Sequence, residues 1–310
     1  MSKAKKRGII LLSIFIGVIL AASLTFYFVF DVKNWQKLDA SRLTVLAQTS
    51  TLYDRQENII TTLKGSENRT LVTIDDIPLH TQQAFIAAED VRFYEHSGID
   101  VYRIFGALRS NLQSGSLAEG ASTITQQLAK LTHLSSEKTL RRKLEEIYLA
   151  FQIERTYSKN EILTMYLNTV YFGRGAYGIQ AAAQAYFDVD TKDLTVAQSA
   201  CLAAIIKAPS VYAPHISPES NKNRRNYILN VMYENDFISF SAMKDAQSES
   251  LWVIAQRDEP QAYSWYVDEI LRESAQIMDC SADEIISGGF QIYTSFDPQL
   301  QAIADRVYED

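Results

Sequence analysis

The sequence contains little cysteine, and it has no glycine-rich phosphate loop. Its two cysteines, Cys201 and Cys280, are too few for a disulfide scaffold, and neither has nearby partners at the spacing of a zinc site. Cys201 lies in the apolar run SACLAAIIKA, which predicts a buried free thiol. The absence of a phosphate loop among 12 glycines argues against a nucleotide-binding enzyme.

Excess positive charge and low-complexity sequence are also absent. The formal net charge is −7, which argues against nonspecific nucleic-acid binding, and no internal repeat is visible. A hydrophobic content of 47% and a charged content of 22% are typical of a globular protein. The 310 residues are enough for one large or two ordinary domains.

One long apolar run is present near the N-terminus. Residues 8–30 contain no charge and follow KAKKR. At about 1.5 Å per residue, such a helix crosses a hydrocarbon core of roughly 30 Å. The positive-inside rule places residues 1–7 in the cytoplasm and the rest of the chain outside. A cleaved signal peptide ending near Ala21-Ala22-Ser23 is the alternative. We expect a retained anchor, because signal cores have only about 7–15 apolar residues.

The pattern after residue 30 predicts a mainly α-helical chain with few strands. In residues 48–75, STLYDRQENIITTL and RTLVTI alternate around a turn at Asp54–Asn58 and predict a small strand pair. From about Thr81 to about residue 250 the periodicity is helical. FQIYTSF, residues 290–296, predicts a strand, and Asp297-Pro298 predicts the start of a helix. We expect this closing strand and helix to lack a partner, as the beginning of a further domain.

The segment GASTITQQLAK predicts a helix with a polar face. Ser122 can cap it, and Ile124, Leu128 and Leu131 form the expected buried stripe. Hydroxyl, amide and ammonium groups share another face without a carboxylate, at Thr123, Gln126, Gln127 and Lys130. Such a face suits phosphate or sugar oxygens. A solvated helix face is the alternative.

A second helix, RRKLEEIYLAF, places a carboxylate beside two cations. We expect Leu144, Tyr148 and Phe151 to face the core, while Glu146 shares a face with Arg142 and Lys143. The cations should keep Glu146 ionised. Residues 103–159 hold nine basic and five acidic residues, an excess that favours an anion-binding site over simple surface ion pairs.

The stretch AAEDVRFYEHSG supplies a contrasting carboxylate. Glu89 follows the apolar run of residues 84–88, so burial should raise its pKa. Two carboxyl groups in opposite environments, here Glu89 and Glu146, are typical of sites that separate a base from a charge stabiliser. The acidic edge of an ordinary surface helix is the alternative.

Five ordered motifs carry a resemblance to a known family. They are Glu89-Asp90-x-x-Phe93-x-x-His96-x-Gly98, Gly120-x-Ser122-Thr123-Ile124-Thr125-Gln126-Gln127-Leu128-x-Lys130, Arg142-Lys143-x-x-Glu146, Tyr157-Ser158-Lys159-x-x-Ile162-Leu163-x-x-Tyr166-Leu167-Asn168 and Arg224-Arg225-x-x-Ile228-Leu229. Across roughly residues 50–250 the sequence resembles the peptidoglycan glycosyltransferases, glycosyltransferase family 51, the N-terminal catalytic domain of class A penicillin-binding proteins.

The resemblance implies an organisation for the whole chain. A cytoplasmic tail (1–7) and a transmembrane anchor (8–30) would precede a membrane-proximal connector and strand pair (31–75). A lysozyme-like helical glycosyltransferase domain (76–250) and an incomplete linker (251–310) toward a missing transpeptidase domain would follow. S-x-x-K strings such as Ser135-Ser136-Glu137-Lys138 occur, but no K-T-G follows any of them, so we treat the matches as chance and expect no penicillin binding.

It also implies roles for individual residues in the polymerisation of lipid II. Glu89 would be the general base, and Lys130, Arg142 and Lys143 would bind the pyrophosphate leaving group. Glu146 would position these cations or a divalent cation such as Mg²⁺ or Mn²⁺; no organic cofactor is expected. Sugar and phosphate hydrogen bonds would come from Ser122, Thr123, Gln126 and Gln127. Four further residues would belong to the substrate site: Asp90, Phe93, His96 and Gly98. Phe93, His96 and Gly98 would shape the loop after the Glu89 helix, with direct proton transfer as the alternative for His96, and Asp90 would support the local structure.

The implied partners are lipid II, the growing glycan strand, the bacterial cytoplasmic membrane and other cell-wall synthesis proteins, with no nucleic acid. Leu131 departs from the family, which usually has asparagine there. A lytic enzyme is one alternative, but it would not need the cation cluster. An inactive truncated remnant, or a membrane scaffold that binds lipid II without turnover, is another.

Overall fold

The computed structural model describes residues 16–17, 25, 27, 30–44, 46–63, 68–106, 122–135, 137–250, 253–255 and 264–309. The expected anchor over residues 8–30, like the tail before it, lies almost entirely outside these ranges. Within them, no helix combines the length and the apolar character needed to cross a membrane.

The described chain is mainly α-helical with one small sheet, as the sequence predicted. We number the helices α1 Ser41–Thr44, α2 Leu79–Glu89, α3 Ile124–His133, α4 Leu140–Thr156, α5 Lys159–Thr169, α6 Ile179–Phe187, α7 Val196–Ile205, α8 Pro209–Tyr212, α9 Pro218–Glu234, α10 Phe240–Ser248, α11 Ser264–Met278, α12 Ala282–Ser287 and α13 Pro298–Glu309. The strands are β1 Ser50–Tyr53, β2 Ile59–Leu63 and β3 Gln291–Tyr293. Residues 101–106 are also helical.

Helix α7 lies at the centre of the main core. It is rich in alanine, is buried on nearly all sides, and packs against α2 and α9. Cys201 on this helix is a buried free thiol, which confirms the prediction. Its Sγ lies 3.0 Å from Asn221 Oδ1, and burial raises the pKa of the thiol to about 12.

Helix α2 ends at Glu89, which lies at the edge of this core. Its middle residues, Ala84 to Ala87, are buried, and Thr81 bonds through its hydroxyl to Ser199 of α7 at 2.8 Å. The helix ends at Glu89 because Asp90 leaves the helical conformation, with φ −161°. Glu89 therefore lies at a helix C-terminus, where the peptide dipoles disfavour negative charge.

The buried face of α3 differs from the prediction in part: Ile124 and Leu128 are buried as expected, but the cap and Leu131 are not as predicted. Thr123, not Ser122, is the N-cap, and it forms a capping box with Gln126. Leu131 is 42% exposed and does not lie in the core. The buried side of the helix includes Thr125 and Ala129, which a pattern of large apolar residues does not count. Leu131 therefore lies at the edge of the buried side.

The predicted core face of α4 is also wrong. Tyr148 and Phe151 are each 39% exposed, whereas the buried residues are Glu146, Leu149, Ala150 and Ile153. Tyr148 instead packs edge-on against Trp35, with ring centroids 5.5 Å apart. The helix is thus rotated so that Glu146 points inward.

The sheet joins segments from both ends of the described chain in the order β2-β1-β3. β1 and β2 form the predicted antiparallel hairpin, and Asp54 caps its turn by accepting hydrogen bonds from the backbone N–H groups of Gln56 and Asn58, both at 2.8 Å. The second alternating stretch, RTLVTI, forms no strand.

The closing strand has a partner, contrary to expectation. β3 pairs in parallel with β1, with Leu52 opposite Ile292. A small second core lies behind this sheet and contains Leu52, Leu63, Val267 and Ile285. Asp297 caps α13 as predicted, since its Oδ1 accepts hydrogen bonds from the Gln299 and Leu300 N–H groups at 2.9 and 3.2 Å.

Candidate active site

Glu89 faces a cleft and is bonded to a glutamine of the neighbouring helix. Gln127 of α3 donates from Nε2 to Glu89 Oε2 at 2.7 Å. Gln127 is itself held by Tyr166 of α5, whose hydroxyl donates to Gln127 Oε1 at 3.3 Å. Three helices thus meet at one carboxyl group. The sequence placed Gln127 on a polar face but did not show that this face meets Glu89.

The cleft in front of Glu89 has a volume of about 720 Å³ and carries charged groups of both signs. Arg92 and Asp100 on its wall form an ion pair with each other. Three further cations, Arg103, Lys207 and Arg224, line it together with the exposed ring of Tyr227. Arg103 donates to the backbone oxygen of Glu89. Arg224 Nε is buried without a hydrogen-bond partner in the described part of the chain. The cleft is therefore suited to an anionic ligand next to the carboxyl group.

The environment of Glu89 shifts its titration in the predicted direction. Burial raises the pKa of Glu89 above its ordinary value. The hydrogen bond from Gln127 and the charges of Arg224, Arg103 and Lys207 oppose this shift in part. A carboxyl with a raised pKa is a stronger base once it is ionised, which suits proton abstraction near neutral pH.

A second cluster surrounds Glu146. Arg142 Nη1 donates to Glu146 Oε2 at 2.9 Å, and Lys143 Nζ donates to Glu146 Oε1. Lys143 also donates to Ser122 Oγ at 2.7 Å. The predicted grouping of Arg142, Lys143 and Glu146 is confirmed as a geometric fact. Glu146 is almost wholly buried, and its two oxygens hold the more exposed side chains of Arg142 and Lys143 in place.

Asp90 is a structural neighbour of Glu89. It is buried, and its Oδ2 accepts a hydrogen bond from the Ile124 N–H at 3.0 Å, at the start of α3. His96 Nε2 lies 3.0 Å from both carboxylate oxygens of Asp90. These bonds fix the loop after α2 against α3. They leave Asp90 and His96 as supports of the Glu89 loop.

Three more predicted substrate-binding residues are engaged with the protein itself. Thr123 is fully buried and donates from its hydroxyl to the Gly98 oxygen at 2.6 Å. The Gln126 side chain accepts from the Thr123 N–H at 3.0 Å, within the capping box. Phe93 is buried beneath the Lys159 ammonium, which lies 4.4 Å from its ring centroid. Direct contacts from Thr123, Gln126 or Phe93 to a substrate would require these arrangements to break.

Gly98 allows the loop to reach α4. Its φ of +95° is a conformation that favours glycine. A Cβ at this position would lie 3.3 Å from the backbone carbon and oxygen of Ala150. The prediction that Gly98 shapes the loop after Glu89 therefore has a specific basis in this close approach.

Two findings on cations were not predicted. Lys130 is exposed on α3 and makes no hydrogen bond or ion pair with the other site residues in the ranges described. Lys207 and Arg103, in contrast, line the Glu89 cleft although neither was assigned to the site. Lys207 follows the buried residues of α7. A single lysine directly after a long apolar run is the feature of the sequence that could have marked Lys207 as a candidate site residue.

The residues around Glu146 do not fit a divalent cation held by the protein. Both Glu146 oxygens contact cationic side chains. The described residues also contain no cluster of three His, Cys, Asp or Glu side chains that could hold a metal ion.

The combined geometry suits one class of reaction. A half-buried carboxyl of raised pKa can accept a proton, and the cations beside it can stabilise developing negative charge on a leaving group. Ser122 contacts the Glu146 cluster and Gln127 contacts Glu89, so the start of α3 links the two clusters. Transfer of a group from an anionic leaving group to a hydroxyl would use both.

Comparison with known proteins gives a consistent result. A family model described as Transglycosylase matches residues 55–233. Penicillin-binding protein 1F of Bacillus subtilis (strain 168) is 40% identical over 274 residues, which cover 88% of this chain and 38% of that protein. Penicillin-binding protein 1A/1B of the same organism is 41% identical over 315 residues, covering 98% and 34%. The chain thus spans between about a third and a half of the length of such relatives.

A solved structure is also similar. The crystal structure of penicillin-binding protein 1A from Haemophilus influenzae matches with a TM-score of 0.46 and 22% identity, over 84% of this chain and 29% of that one. The family model covers more than half of the chain and includes Glu89, Gln127 and Glu146. The chain belongs to the transglycosylase family.

Proposed function

We propose that this chain is a peptidoglycan glycosyltransferase that polymerises lipid II into glycan strands. The observation that carries the proposal is the Glu89 carboxyl, which faces a cation-lined cleft inside a transglycosylase-family domain. Glu89 takes the proton of the 4-hydroxyl of the acceptor GlcNAc. That oxygen attacks C1 of the donor MurNAc, the bond to the pyrophosphate breaks with inversion, and undecaprenyl pyrophosphate leaves.

The Glu146 cluster supplies the charge that the leaving group needs. Arg142 and Lys143 bind the pyrophosphate, on which negative charge grows as the bond breaks. Glu146 holds both cations in place through its two oxygens. Exposed Lys130 joins them when the substrate is bound.

A lipid-linked substrate implies that the domain works at a membrane surface. Large apolar side chains are exposed on the helical segment beside the cleft, at Val101, Tyr102, Ile104 and Phe105. Tyr102 also lines the cleft. These side chains support contact with the outer face of the bacterial cytoplasmic membrane, where a single-pass anchor over residues 8–30 would hold the domain. The growing glycan strand and other cell-wall synthesis proteins are its proposed partners.

Polymerisation of purified lipid II by the detergent-solubilised chain tests this proposal. We expect polymer from the wild type and a rate about 10²–10⁴ lower from Glu89→Gln, which keeps the shape of the side chain but removes the base. Glu95→Gln is the matched control, because it makes the same change at an exposed carboxylate a short distance along the chain. Equal rates for wild type and Glu89→Gln would contradict the role of Glu89. A folded wild type that binds lipid II without polymerising it would favour a scaffold.

A further inference from the structure

Tyr166 is placed to control the amide that holds Glu89. Its ring is fully buried in α5 as part of the main core, and its hydroxyl reaches the amide oxygen of Gln127 at 3.3 Å. Burial, together with the nearby Glu89 and Asp90 carboxylates, raises the pKa of Tyr166 well above its ordinary value. The hydroxyl therefore keeps its proton and remains a hydrogen-bond donor.

A glutamine amide has one accepting end and one donating end, and the two have nearly the same shape. When the Tyr166 hydroxyl donates to Gln127 Oε1, the NH₂ end must face Glu89, where it donates to Oε2 at 2.7 Å. The opposite orientation would turn the amide oxygen toward a carboxylate oxygen. That arrangement would be repulsive and would leave Glu89 without this donor.

We propose that Tyr166 is a positioning residue for the base: its hydroxyl fixes the orientation of the Gln127 amide, which in turn holds one oxygen of Glu89. Gln127 is the one side chain in the described ranges that donates to the Glu89 carboxylate. With Oε2 held in this way, Oε1 is left to accept the proton of an incoming hydroxyl. This deepens the proposed function and rests on it for its role in the reaction.

The other charged groups around Glu89 act differently. Arg103 donates to the backbone oxygen of Glu89, and Lys207 and Arg224 act on the carboxyl through their charge alone. Asp90 is bonded to the Ile124 N–H and lies beside His96. None of these contacts constrains which way the Gln127 amide faces. The Glu89 carboxylate, which only accepts, and the Tyr166 hydroxyl, which donates to Oε1, favour the same orientation, and Tyr166 is the partner that holds the far end of the amide.

Direct titration of the Glu89 carboxyl tests the proposal without using activity. The full chain in detergent micelles is labelled with ¹³C at glutamate carboxyl groups, and the Glu89 signal is the one that Glu89→Gln removes. Tyr166→Phe should move the titration midpoint of Glu89 upward by about half a pH unit or more, because the ionised form loses a well-oriented donor. Gln127→Ala should move it at least as far, and adding Tyr166→Phe to Gln127→Ala should produce no further change.

Tyr186→Phe is the matched control. Tyr186 is also fully buried, and its hydroxyl donates to the Phe172 oxygen at 2.8 Å, so the variant loses a buried hydrogen bond that does not lead to Glu89. We expect it to lower stability and leave the Glu89 midpoint unchanged. A midpoint that does not move in folded Tyr166→Phe, or that moves equally in Tyr186→Phe, would overturn the proposal.

Two further outcomes are also decisive. If Tyr166→Phe does not fold, Gln127→Ala still decides the matter, because an unchanged midpoint in that variant would remove the link on which the proposal depends. The titration reads the carboxyl itself. Failure of the chain to polymerise lipid II would therefore defeat the proposed function and would leave the Tyr166 result standing.

Discussion

Glu89 lies at the end of a buried helix, where the burial that raises the pKa of its carboxyl also works against the folded state. Below the ordinary pKa of glutamate, about 4.3, the group is protonated in both the folded and the unfolded chain, and it costs nothing. As the pH rises from there through the raised folded pKa, the unfolded chain ionises first and folding becomes less favourable. Above the pKa of Glu89 in the folded chain, the loss of folding free energy no longer changes with pH.

Glu89→Gln should therefore stabilise the protein at neutral pH. Gln cannot ionise, and it retains hydrogen-bonding groups opposite Gln127. We expect a higher Tm than the wild type at pH 7, by roughly 2–4 °C for each kcal/mol of stabilisation, with the difference shrinking toward pH 4. Thermal melts followed by circular dichroism at several pH values measure this. A Tm at pH 7 below that of the wild type would contradict the stated environment of Glu89.

Glu146 and Glu145 are adjacent residues with different surroundings. Glu146 is almost wholly buried and bonded to Arg142 and Lys143. The Glu145 side chain is 13% exposed and pairs with Arg141, whose side chain is 46% exposed. An ion pair with one partner open to solvent contributes little to stability, whereas removal of a buried partner leaves cations unpaired. We expect Glu146→Gln to lower both the Tm and kcat/KM for lipid II, the latter by tenfold or more.

Glu145→Gln is the control for that change, and it should leave both quantities close to wild type. Melting curves and steady-state polymerisation of lipid II provide the measurements. If the two variants behave alike, Glu146 does not organise the cation cluster.

At the scale of elements, the described segment after α2 approaches α4 closely at Gly98. Gly98 combines a positive φ with a position where a Cβ would press on the Ala150 backbone. Gly98→Ala should destabilise the protein by about 1–3 kcal/mol and should also lower activity, because the loop carries His96 and follows Glu89.

Gly175→Ala separates the effect of the positive φ from the effect of the close contact with α4. Gly175 has φ +71° but no neighbouring atom within 4 Å of the added Cβ, so this variant tests backbone strain alone. Urea denaturation of the two variants gives the comparison. We expect Gly98→Ala to be the more destabilising, and equal losses of stability in the two variants would show that contact with α4 contributes nothing.

The elements also show what the sequence could and could not predict. Caps and turns depend on nearby residues, so the hairpin around Asp54 and the start of α13 at Asp297 were predicted correctly. The orientation of α3 and α4 was not, because tertiary contacts decide it: Thr125 is fully buried with its hydroxyl bonded to Glu154 of α4 at 2.5 Å, and an apolar pattern gives a threonine no weight. Glu146 likewise points inward although it is charged, since its partners are Arg142 and Lys143, and an apolar pattern does not count it.

At the scale of the whole molecule, pairing between distant segments escaped prediction. β1 and β3 come from opposite ends of the described chain, and nothing in either strand indicates its partner. The residues of the candidate site also fall into two groups, those that the sequence indicated and those that only the packing of the helices brings there. Motif spacing identified Glu89, Arg142, Lys143 and Glu146. The contribution of Lys207 from the end of α7, and the contact of Gln127 with Glu89, depend on how α2, α3, α7 and α9 pack together.

Glu89, a carboxyl of raised pKa, is proposed to be the base of a lipid II polymerase. The pH dependence of kcat/KM for lipid II polymerisation by the detergent-solubilised chain tests this role, because kcat/KM reports the ionisation of the free enzyme. We predict that activity falls on the acid side with a midpoint above the ordinary glutamate value of about 4.3, and that this fall is absent from any residual activity of Glu89→Gln. An acid limb at the same pH in both proteins would contradict the account.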